Sequence, residues 1–133
     1  MPFYRALVRP GLMTETQRQS FAGDITDVHC SVTGAPRSFV QVLITEDDQG
    51  RLPNDRTATV NGTIRAGRTE AEKAEITDRI SHALAERAGV DPNSVHTSTI
   101  DVDASYTMEG GVLLPQPGSP EEAAWKECEE TGT

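Results

Sequence analysis

The sequence predicts an α+β fold made of two β-α-β units in tandem, which form one four-stranded sheet with two helices on one face. Two observations support this prediction. Two helix-start signals, Thr14 and Thr69, are separated by the same number of residues as two helix-ending glycines, Gly34 and Gly89. A β-prone segment also lies before and after each predicted helix. Because the spacing recurs at both helix ends, we interpret the chain as a duplicated unit.

The first unit is assigned to residues 1–55. It begins with a short β-prone segment, Phe3–Val8, which shows little alternation and is therefore predicted to be a buried strand. Thr14 and Gln17 have the spacing of a capping box, and Gly34 ends the helix that follows. The strongest strand pattern in the chain is Ser38–Thr45. The apolar residues of the helix form one stripe: Phe21, Ile25, Val28 and Val32.

The second unit, residues 56–104, repeats this order. Thr57–Ile64 is predicted to be a strand with alternate residues on one face. Thr69 and Glu72 form a second capping box, and Gly89 ends the second helix. Val95–Val102 is predicted to be the fourth strand. The apolar stripe of the second helix comprises Ile76, Ile80, Ala83 and Leu84.

After the second unit the repeat stops. Residues 105–118 are predicted to form a short hairpin around Gly110 and Gly111. Residues 119–133 form an acidic C-terminal tail, in which Ser119 and Pro120 open a last helix and Trp125 is its large apolar anchor. The predicted sheet has one face without helices, and little apolar sequence remains to cover it. We therefore expect other subunits to cover that face.

Charge and cysteine content exclude several function classes. The chain has 133 residues, enough for one domain, and a formal net charge of −9, which argues against nucleic acid and anionic membranes as partners. Its cysteines, Cys30 and Cys128, and its histidines lack the spacing of a metal site, and no cofactor is expected. The sequence has no apolar run of membrane-spanning length and no signal-peptide pattern. A cytoplasmic protein is therefore expected.

Met1-Pro2 is the first candidate for chemistry, because an initiator methionine before proline is normally removed. Removal would leave Pro2 with a secondary amine, and an unperturbed terminal amine has a pKa of about 8. A desolvated pocket lined by cations lowers such a pKa, whereas nearby carboxylates raise it. Pro2 could then act as an acid or a base near neutral pH. The alternative is that Met1-Pro2 is simply the start of an ordinary chain.

Four further side chains have positions that suit substrate binding or proton transfer. Arg65 and Arg68 follow the third strand, where guanidinium groups and helix amides can bind a carboxylate; the alternative is a pair of solvated loop arginines. His29 borders the apolar stripe of the first helix and could donate a hydrogen bond to a substrate, or be a boundary histidine bonded to water or backbone. Glu109 lies in the predicted hairpin, where a raised pKa would let it activate water, or where it is an exposed turn residue.

Several stretches of the sequence, taken together, resemble a known family. The stretches are Ile25-Thr26-Asp27-Val28-His29, Val40-Gln41-Val42, Thr63-Ile64-Arg65-Ala66-Gly67-Arg68-Thr69-Glu70, Met108-Glu109-Gly110-Gly111 and Leu113-Leu114-Pro115-Gln116-Pro117-Gly118. With Pro2, they resemble the tautomerase superfamily, whose members consist of fused β-α-β units with an amino-terminal proline. Within it, the similarity is to the cis-3-chloroacrylic acid dehalogenase group and extends from Pro2 to about Gly118.

The resemblance implies a role for each candidate residue. Pro2 falls on the catalytic amino-terminal proline, and Glu109 falls on the glutamate that activates water. His29, Arg65 and Arg68 fall on the residues that hold the substrate carboxylate. The resemblance also implies a homotrimer, with pockets near the subunit boundaries, that acts on a small carboxylate.

One position departs from the group's pattern. Its dehalogenases have a tyrosine in the fourth strand that assists the attacking water, and ungapped register places Ser98 there. Tyr106 follows later in the chain and could approach from the hairpin. This departure argues against efficient dehalogenation more than it argues against the fold.

The expected activity is low-specificity keto–enol tautomerisation of small 2-oxo acids and their enols. In that reaction a neutral Pro2 is the base, whereas a protonated Pro2 would be the acid of a conjugate hydration in which Glu109 directs water to C3. One alternative is cofactor-independent hydration or dehalogenation of acetylenic acids or 3-halo-acrylates. Another is a binding trimer that retains the fold without catalysis, and a third is decarboxylation of a 3-oxo acid within the same superfamily.

Overall fold

The structure, a computed structural model, describes residues 1–131, with side chains described through Cys128. Its elements are β1 (Phe3–Val8), α1 (Glu15–Thr33), β2 (Gln41–Glu46), β3 (Ala58–Arg65), α2 (Glu70–Ala88), β4 (Val95–Val102), β5 (Met108–Glu109), β6 (Val112–Leu113) and α3 (Pro120–Thr131). Within residues 1–131, no helix is long and apolar enough to cross a lipid bilayer.

The four long strands form one mixed sheet in the order β2-β1-β3-β4. β1 is parallel to β2, and β3 is parallel to β4, so each unit contributes a parallel pair joined by its own helix. β1 and β3 pair antiparallel at the centre of the sheet, with Ala6 opposite Val60. This arrangement confirms the predicted tandem β-α-β fold.

Both long helices begin and end as the sequence predicts. In the capping boxes Thr14–Gln17 and Thr69–Glu72, the threonine hydroxyl accepts from the backbone N–H three residues later, at 3.2 and 3.1 Å. The Gln or Glu side chain accepts in return from the threonine N–H, at 2.7 and 2.9 Å. Gly34 and Gly89 end the helices with φ of 74° and 70°, a conformation that costs glycine little. Local capping therefore sets both helix lengths.

The hydrophobic core lies between the sheet and helices α1 and α2. Residues of β1 alternate, because Tyr4 and Ala6 are buried in this core whereas Arg5 is exposed. The prediction that β1 is buried on both faces is therefore wrong for the single chain. The opposite face of the sheet leaves Leu43 and Ile100 about half exposed. The core contains the predicted helix stripes: Phe21, Ile25, Val28, Ile76, Ile80 and Leu84, with Val32 and Ala83 partly buried.

β2 begins later than the sequence predicts. A strand was expected over Ser38–Thr45, but β2 is Gln41–Glu46 because residues 37–39 form a 3₁₀ turn. In this turn the N–H of Phe39 donates to the carbonyl of Pro36 at 3.1 Å, and the Phe39 ring is buried. The carbonyl of Phe39 accepts from the Met1 amine at 3.3 Å, so the turn also positions the start of the chain.

The C-terminal part of the chain forms the predicted hairpin and then returns to the body of the domain. β5 and β6 pair around Gly110 and Gly111, whose φ values of 57° and 79° are those of a type I′ turn. α3 begins at Pro120, and the ring of Trp125 on this helix packs on Phe39 with centroids 4.3 Å apart. α3 therefore covers the region around the N-terminus. The predicted acidic tail, residues 119–133, ends outside the described residues.

Candidate active site

Four of the residues selected from the sequence line one cavity. Pro2, His29, Arg65 and Arg68 surround it, although they come from the start of β1, from α1 and from the junction of β3 with α2. The remaining walls are Met1, Ala35, Phe39, Trp125 and Lys126. The water-accessible volume inside is ≈ 10 Å³, space for about one water molecule. The cavity is therefore nearly filled by the chain's own side chains.

Pro2 is buried and lies directly before β1, a central strand of the sheet. Its carbonyl accepts from the N–H of Gln41 at 3.1 Å, which extends the pairing of β1 with β2. Met1 precedes it in this structure, so the nitrogen of Pro2 is part of an amide and is not basic. The Met1 amine donates to Oε1 of Glu109 at 2.5 Å. Glu109 is thus connected to Pro2 through the amine of Met1.

Arg65 is the last residue of β3 and is held by the C-terminal part of the chain. One terminal nitrogen donates to the carbonyl of Pro115 at 2.6 Å, and the other donates to Oε2 of Glu122 at 2.5 Å. The ring of Trp125 lies 5.1 Å from the guanidinium carbon, a cation–π distance. Arg65 is only 7% exposed, so these contacts replace most of its solvent.

Arg68 lies at the start of α2 and is half-buried beside the cavity. Burial lowers the pKa of its guanidinium and the neighbouring positive charge of Arg65 lowers it further, whereas the carboxylates of Glu72 and Glu122 act in the opposite direction. Among the side chains that the structure describes, none forms a hydrogen bond or ion pair with Arg68. A desolvated cation in this state is a strong candidate to bind an anion.

Gly67 allows the loop between the two arginines to pack against the C-terminal segment. Its φ of 121° is accessible to glycine and rarely to other residues. A Cβ at this position would also come within 3.0 Å of Cγ of Pro117. Glycine therefore permits both the turn and the close approach of residues 115–118.

His29 is buried, 3% exposed, and its Nδ1 lies 2.8 Å from the hydroxyl of Tyr4. Burial lowers the pKa of His29 to about 3, with further lowering from Arg68, the terminal amine and Arg65. Burial also raises the pKa of Tyr4 above its ordinary value, and Cys30 raises it further. The imidazole is therefore neutral and the phenol keeps its proton at neutral pH.

The sequence interpretation missed Tyr4, although its position in β1 offered a signal. Tyr4 is in the buried register of the strand and lies opposite Gly62 in β3. A Cβ on Gly62 would come within 2.4 Å of Cε1 of Tyr4, so the glycine provides the space for the ring. A buried tyrosine hydroxyl needs a hydrogen-bond partner, and His29 is that partner.

The other candidates lie outside this cavity. Glu109 lines an adjacent cleft with Phe39 and Gln41, separated from Pro2 by Met1. Ser98 accepts a hydrogen bond from Nδ2 of Asn61 at 3.0 Å and therefore lies on the helix-free face of the sheet. Tyr106 is 80% exposed at the base of the hairpin. Neither Ser98 nor Tyr106 lies beside Pro2 in the single chain.

Sequence reasoning also missed the contribution of the C-terminal tail. Glu122, Trp125 and Lys126 belong to α3, and all three lie at the arginine side of the cavity. Their spacings of three and four residues place them on one helix face, and the chain's one tryptophan is among them. This clustering on one helix face was the sequence signal that could have predicted the contribution of α3 to the site.

The cavity combines cations, a neutral imidazole and a buried proline. This donor set suits the binding of a small anion and the movement of a proton beside it. Within the described residues, no group of three or more His, Cys, Asp or Glu side chains could hold a metal ion.

Comparisons with known proteins give a family and several similar structures. A profile of the Tautomerase_3 family, described as "Putative oxalocrotonate tautomerase enzyme", matches residues 1–130. Native Ps01740 is 35% identical over 80% of this chain and 99% of its own, with a TM-score of 0.74. N1, a member of the cis-3-chloroacrylic acid dehalogenase family, is 27% identical over 97% of this chain and 99% of its own, with a TM-score of 0.82.

More distant structures share the fold. The asymmetric trimer of the F6 fused 4-OT is 20% identical over 84% of this chain and 94% of its own, with a TM-score of 0.74. A comparison with curated proteins finds no match. The family match reaches residue 130 and so includes most of α3, whereas the motif resemblance ends near Gly118. With the duplicated β-α-β architecture, the match shows that this chain belongs to the tautomerase family.

Proposed function

We propose that the chain, after removal of Met1, interconverts the keto and enol forms of small 2-oxo acids with Pro2 as the base and without a cofactor. The observation that carries the proposal is Arg68. Its half-buried guanidinium forms no hydrogen bond or close ion pair with a described side chain, although Glu72 and Glu122 lie near enough to act on it through their charge, and it lines the same cavity as Pro2 and the neutral His29. A substrate carboxylate would supply the direct ionic contact that this group lacks.

His29 is prepared to help hold that substrate. In this proposal the Tyr4 hydroxyl, which keeps its proton, is assigned as the donor to Nδ1 of His29, and this assignment leaves the imidazole proton on Nε2. A neutral imidazole in this tautomer can donate one hydrogen bond to a carboxylate or carbonyl oxygen. Arg68 would supply the charge, while His29 would set the orientation.

Pro2 would move the proton. In ketonisation its nitrogen accepts the proton of the enol hydroxyl, and the electrons of that O–H bond form the new carbonyl. The electrons of the C2=C3 double bond take up a proton at C3, which Pro2 returns. The guanidinium groups of Arg65 and Arg68 favour a neutral amine at this position, whereas the carboxylate of Glu109 favours the protonated form; the proposed role requires that the guanidinium groups dominate, so that Pro2 is a base at neutral pH.

The position of Glu109 favours hydration as a second candidate activity. Its carboxylate binds the Met1 amine, so it would border the space left beside Pro2 when Met1 is removed. There it could take a proton from a water molecule attacking C3 while protonated Pro2 gives a proton to C2. With a 3-halo-acrylate, the halohydrin formed would lose halide and become an aldehyde. Ser98, in place of the strand tyrosine, argues against this as the main activity.

The proposal includes a homotrimer. Leu43 and Ile100 are half-exposed on the helix-free face of the sheet, and the hairpin exposes Met108, Val112 and Leu113. Burial of this apolar surface between subunits would stabilise an oligomer. The similar fused 4-OT structures include symmetric and asymmetric trimers. Light scattering should give three times the chain mass of 14.4 kDa, and a monomer mass would contradict the trimer.

Retention of Met1 provides a matched control for the proline role. Two wild-type preparations, one with Met1 and one without, are distinguished by intact mass and tested for ketonisation of the enol of phenylpyruvate. Turnover is expected only without Met1, because only then is the Pro2 nitrogen basic. Pro2→Ala, also without Met1, should lose about a hundredfold or more in kcat. Equal turnover by both wild-type preparations would contradict the proposal.

The same preparations separate the remaining alternatives. Glu109→Gln should retain ketonisation and lose hydration of acetylenic acids, because its carboxylate is needed only for water. Equal loss of both activities would show that this division of roles is wrong. A folded trimer without turnover of either substrate class would instead support the binding alternative.

A further inference from the structure

α3 places a carboxylate of the chain on the arginine that is proposed to bind the substrate. Oε2 of Glu122 accepts from Arg65 at 2.5 Å, and the pair is largely buried, with side chains 15% and 7% exposed. The other oxygen, Oε1, accepts from the N–H of Gly118 at 3.1 Å and lies 3.8 Å from Nζ of Lys126. Both oxygens of Glu122 are therefore engaged, as those of a bound carboxylate ligand would be.

Trp125 closes the same side of the cavity. Its ring packs on Phe39 at 4.3 Å between centroids and lies 5.1 Å from the guanidinium carbon of Arg65. Removal of Met1 would open space beside Pro2, and Met1 is not a partner in these contacts of α3. The carboxylate-binding side of the site thus remains occupied in the processed chain.

We propose that α3 is an autoinhibitory latch, in which the carboxylate of Glu122 competes with the carboxylate of the substrate for Arg65. A ligand that binds Arg65 displaces Glu122, and α3 then moves away together with Trp125. The kinetic part of this inference depends on the proposed function, whereas the displacement of α3 by a carboxylate does not.

The chain around α3 suits this movement. Residues before it stay fixed, because the carbonyl of Pro115 accepts from Arg65 and the ring of Pro117 packs closely on Gly67. Gly118 follows with φ of 76°, a point where the backbone can change direction at low cost. Rotation there moves α3 while the bond to Pro115 keeps Arg65 aimed at the cavity.

Glu122→Gln tests the competition, with Glu121→Gln as the matched control. Both changes remove one negative charge from the first turn of α3, but Glu121 is exposed. Glu122→Gln should lower KM for the enol of phenylpyruvate by about tenfold at similar kcat, because a charged hydrogen bond no longer has to be broken. Glu121→Gln should keep the wild-type KM. An unchanged or increased KM in Glu122→Gln would overturn the latch and indicate that Glu122 positions Arg65.

Trp125 provides a second measurement that needs no turnover. It is the chain's one tryptophan, so the emission spectrum reports on α3 directly. Pyruvate titrated into the Met1-free wild type should shift the emission to longer wavelength as Trp125 leaves Phe39. Glu122→Gln should saturate at about tenfold lower pyruvate than Glu121→Gln. If pyruvate shifts the emission of neither variant, the latch is overturned.

The two measurements separate this inference from the proposed function. If no variant converts the enol but pyruvate shifts Trp125 at lower concentration in Glu122→Gln, the latch stands and the tautomerase proposal fails. If the enol is converted and the two glutamate variants have the same KM and emission, the tautomerase proposal stands and the latch fails.

Discussion

The two β-α-β units place an arginine at the same kind of position, Arg9 directly after β1 and Arg65 at the end of β3. Among the side chains that the structure describes, Arg65 has an acidic partner and Arg9 has none. Arg9 donates to the backbone carbonyls of Arg56 and Pro53 at 3.0 and 2.7 Å. Arg65 donates to one backbone carbonyl and to the carboxylate of Glu122. The neutral partners of Arg9 are part of a turn, whereas the ionic partner of Arg65 can be exchanged for another anion.

This difference comes from the segment that covers each strand end. Residues 53–57, a connection between the units, cover the end of β1 with backbone groups. Residues 115–126, which have no counterpart in the repeat, cover the end of β3 with Glu122 and Trp125. Duplication therefore provides two similar strand ends, and the unrepeated C-terminal segment gives one of them the properties of an anion site.

The largest expected effect is the change in KM caused by Arg68→Ala, with Arg9→Ala as its control. Loss of the unpaired guanidinium should raise KM for the enol acid of phenylpyruvate by about a hundredfold, since a hydrogen bond to a charged group is lost. The methyl ester of the same enol lacks the carboxylate and should be affected much less. Arg9→Ala should leave KM unchanged, because within the described residues the side chain of Arg9 bonds to backbone carbonyls alone.

Comparison of KM for the acid and for its methyl ester shows whether Arg68 binds the negative charge of the substrate carboxylate. Equal losses with the acid and its ester would mean that Arg68 acts on folding or on the reacting carbon instead. Equal losses in Arg9→Ala and Arg68→Ala would remove the distinction between the two strand ends.

Gly62→Ala tests a second difference, in side-chain size between the two central strands, where glycine in β3 lies opposite tyrosine in β1. Gly62 in β3 lies opposite Tyr4 in β1, and an added Cβ would come within 2.4 Å of the tyrosine ring. The change should lower the free energy of unfolding by about 2–3 kcal/mol through overpacking. It should also disturb the hydrogen bond from Tyr4 to His29 and raise KM.

Gly23→Ala is the matched control for this change. Gly23 lies inside α1, and an added Cβ would have no neighbour within 4 Å. Alanine at this position should raise the free energy of unfolding by about 0.5–1 kcal/mol, because glycine is a poor helix former. Urea unfolding measures both variants, and destabilisation of equal size would refute the role assigned to the Tyr4 contact.

Local signals in the sequence predicted much of the fold, but they could not predict the contacts at the site between residues far apart in the chain. Capping boxes and helix-ending glycines are short-range interactions, so the bounds of α1 and α2 could be predicted closely. The family resemblance selected Pro2, His29, Arg65 and Arg68, which the fold brings to one cavity.

The missed features depend on tertiary packing. The strand pattern of Ser38–Thr45 did not indicate that residues 37–39 turn to bury Phe39 beneath α3. The sequence predicted a helix in the acidic tail but did not indicate that Glu122 on this helix is directed inward, where it accepts from the N–H of Gly118 and pairs with Arg65. Neither outcome follows from spacing alone, since each needs a partner far away in the sequence.

A last expected effect separates the histidines of the two long helices, His29 in α1 and His82 in α2. His29 is buried and bonded to Tyr4, whereas His82 is exposed. Burial and the nearby positive groups lower the pKa of His29 to about 3, and unfolding restores its ordinary value of 6.5. Between these values the unfolded chain binds a proton that the folded chain does not, so stability falls as the pH falls.

The free energy of unfolding should therefore decrease by about 2 kcal/mol between pH 7 and pH 5 through His29 alone. His29→Gln should remove this part of the pH dependence, whatever its stability at pH 7. His82→Gln replaces an exposed histidine and should retain the wild-type dependence. Urea unfolding across this pH range measures all three proteins. If His29→Gln shows the same slope as the wild type, the imidazole does not stay neutral in the folded chain, and its proposed role as a neutral donor beside Arg68 fails with it.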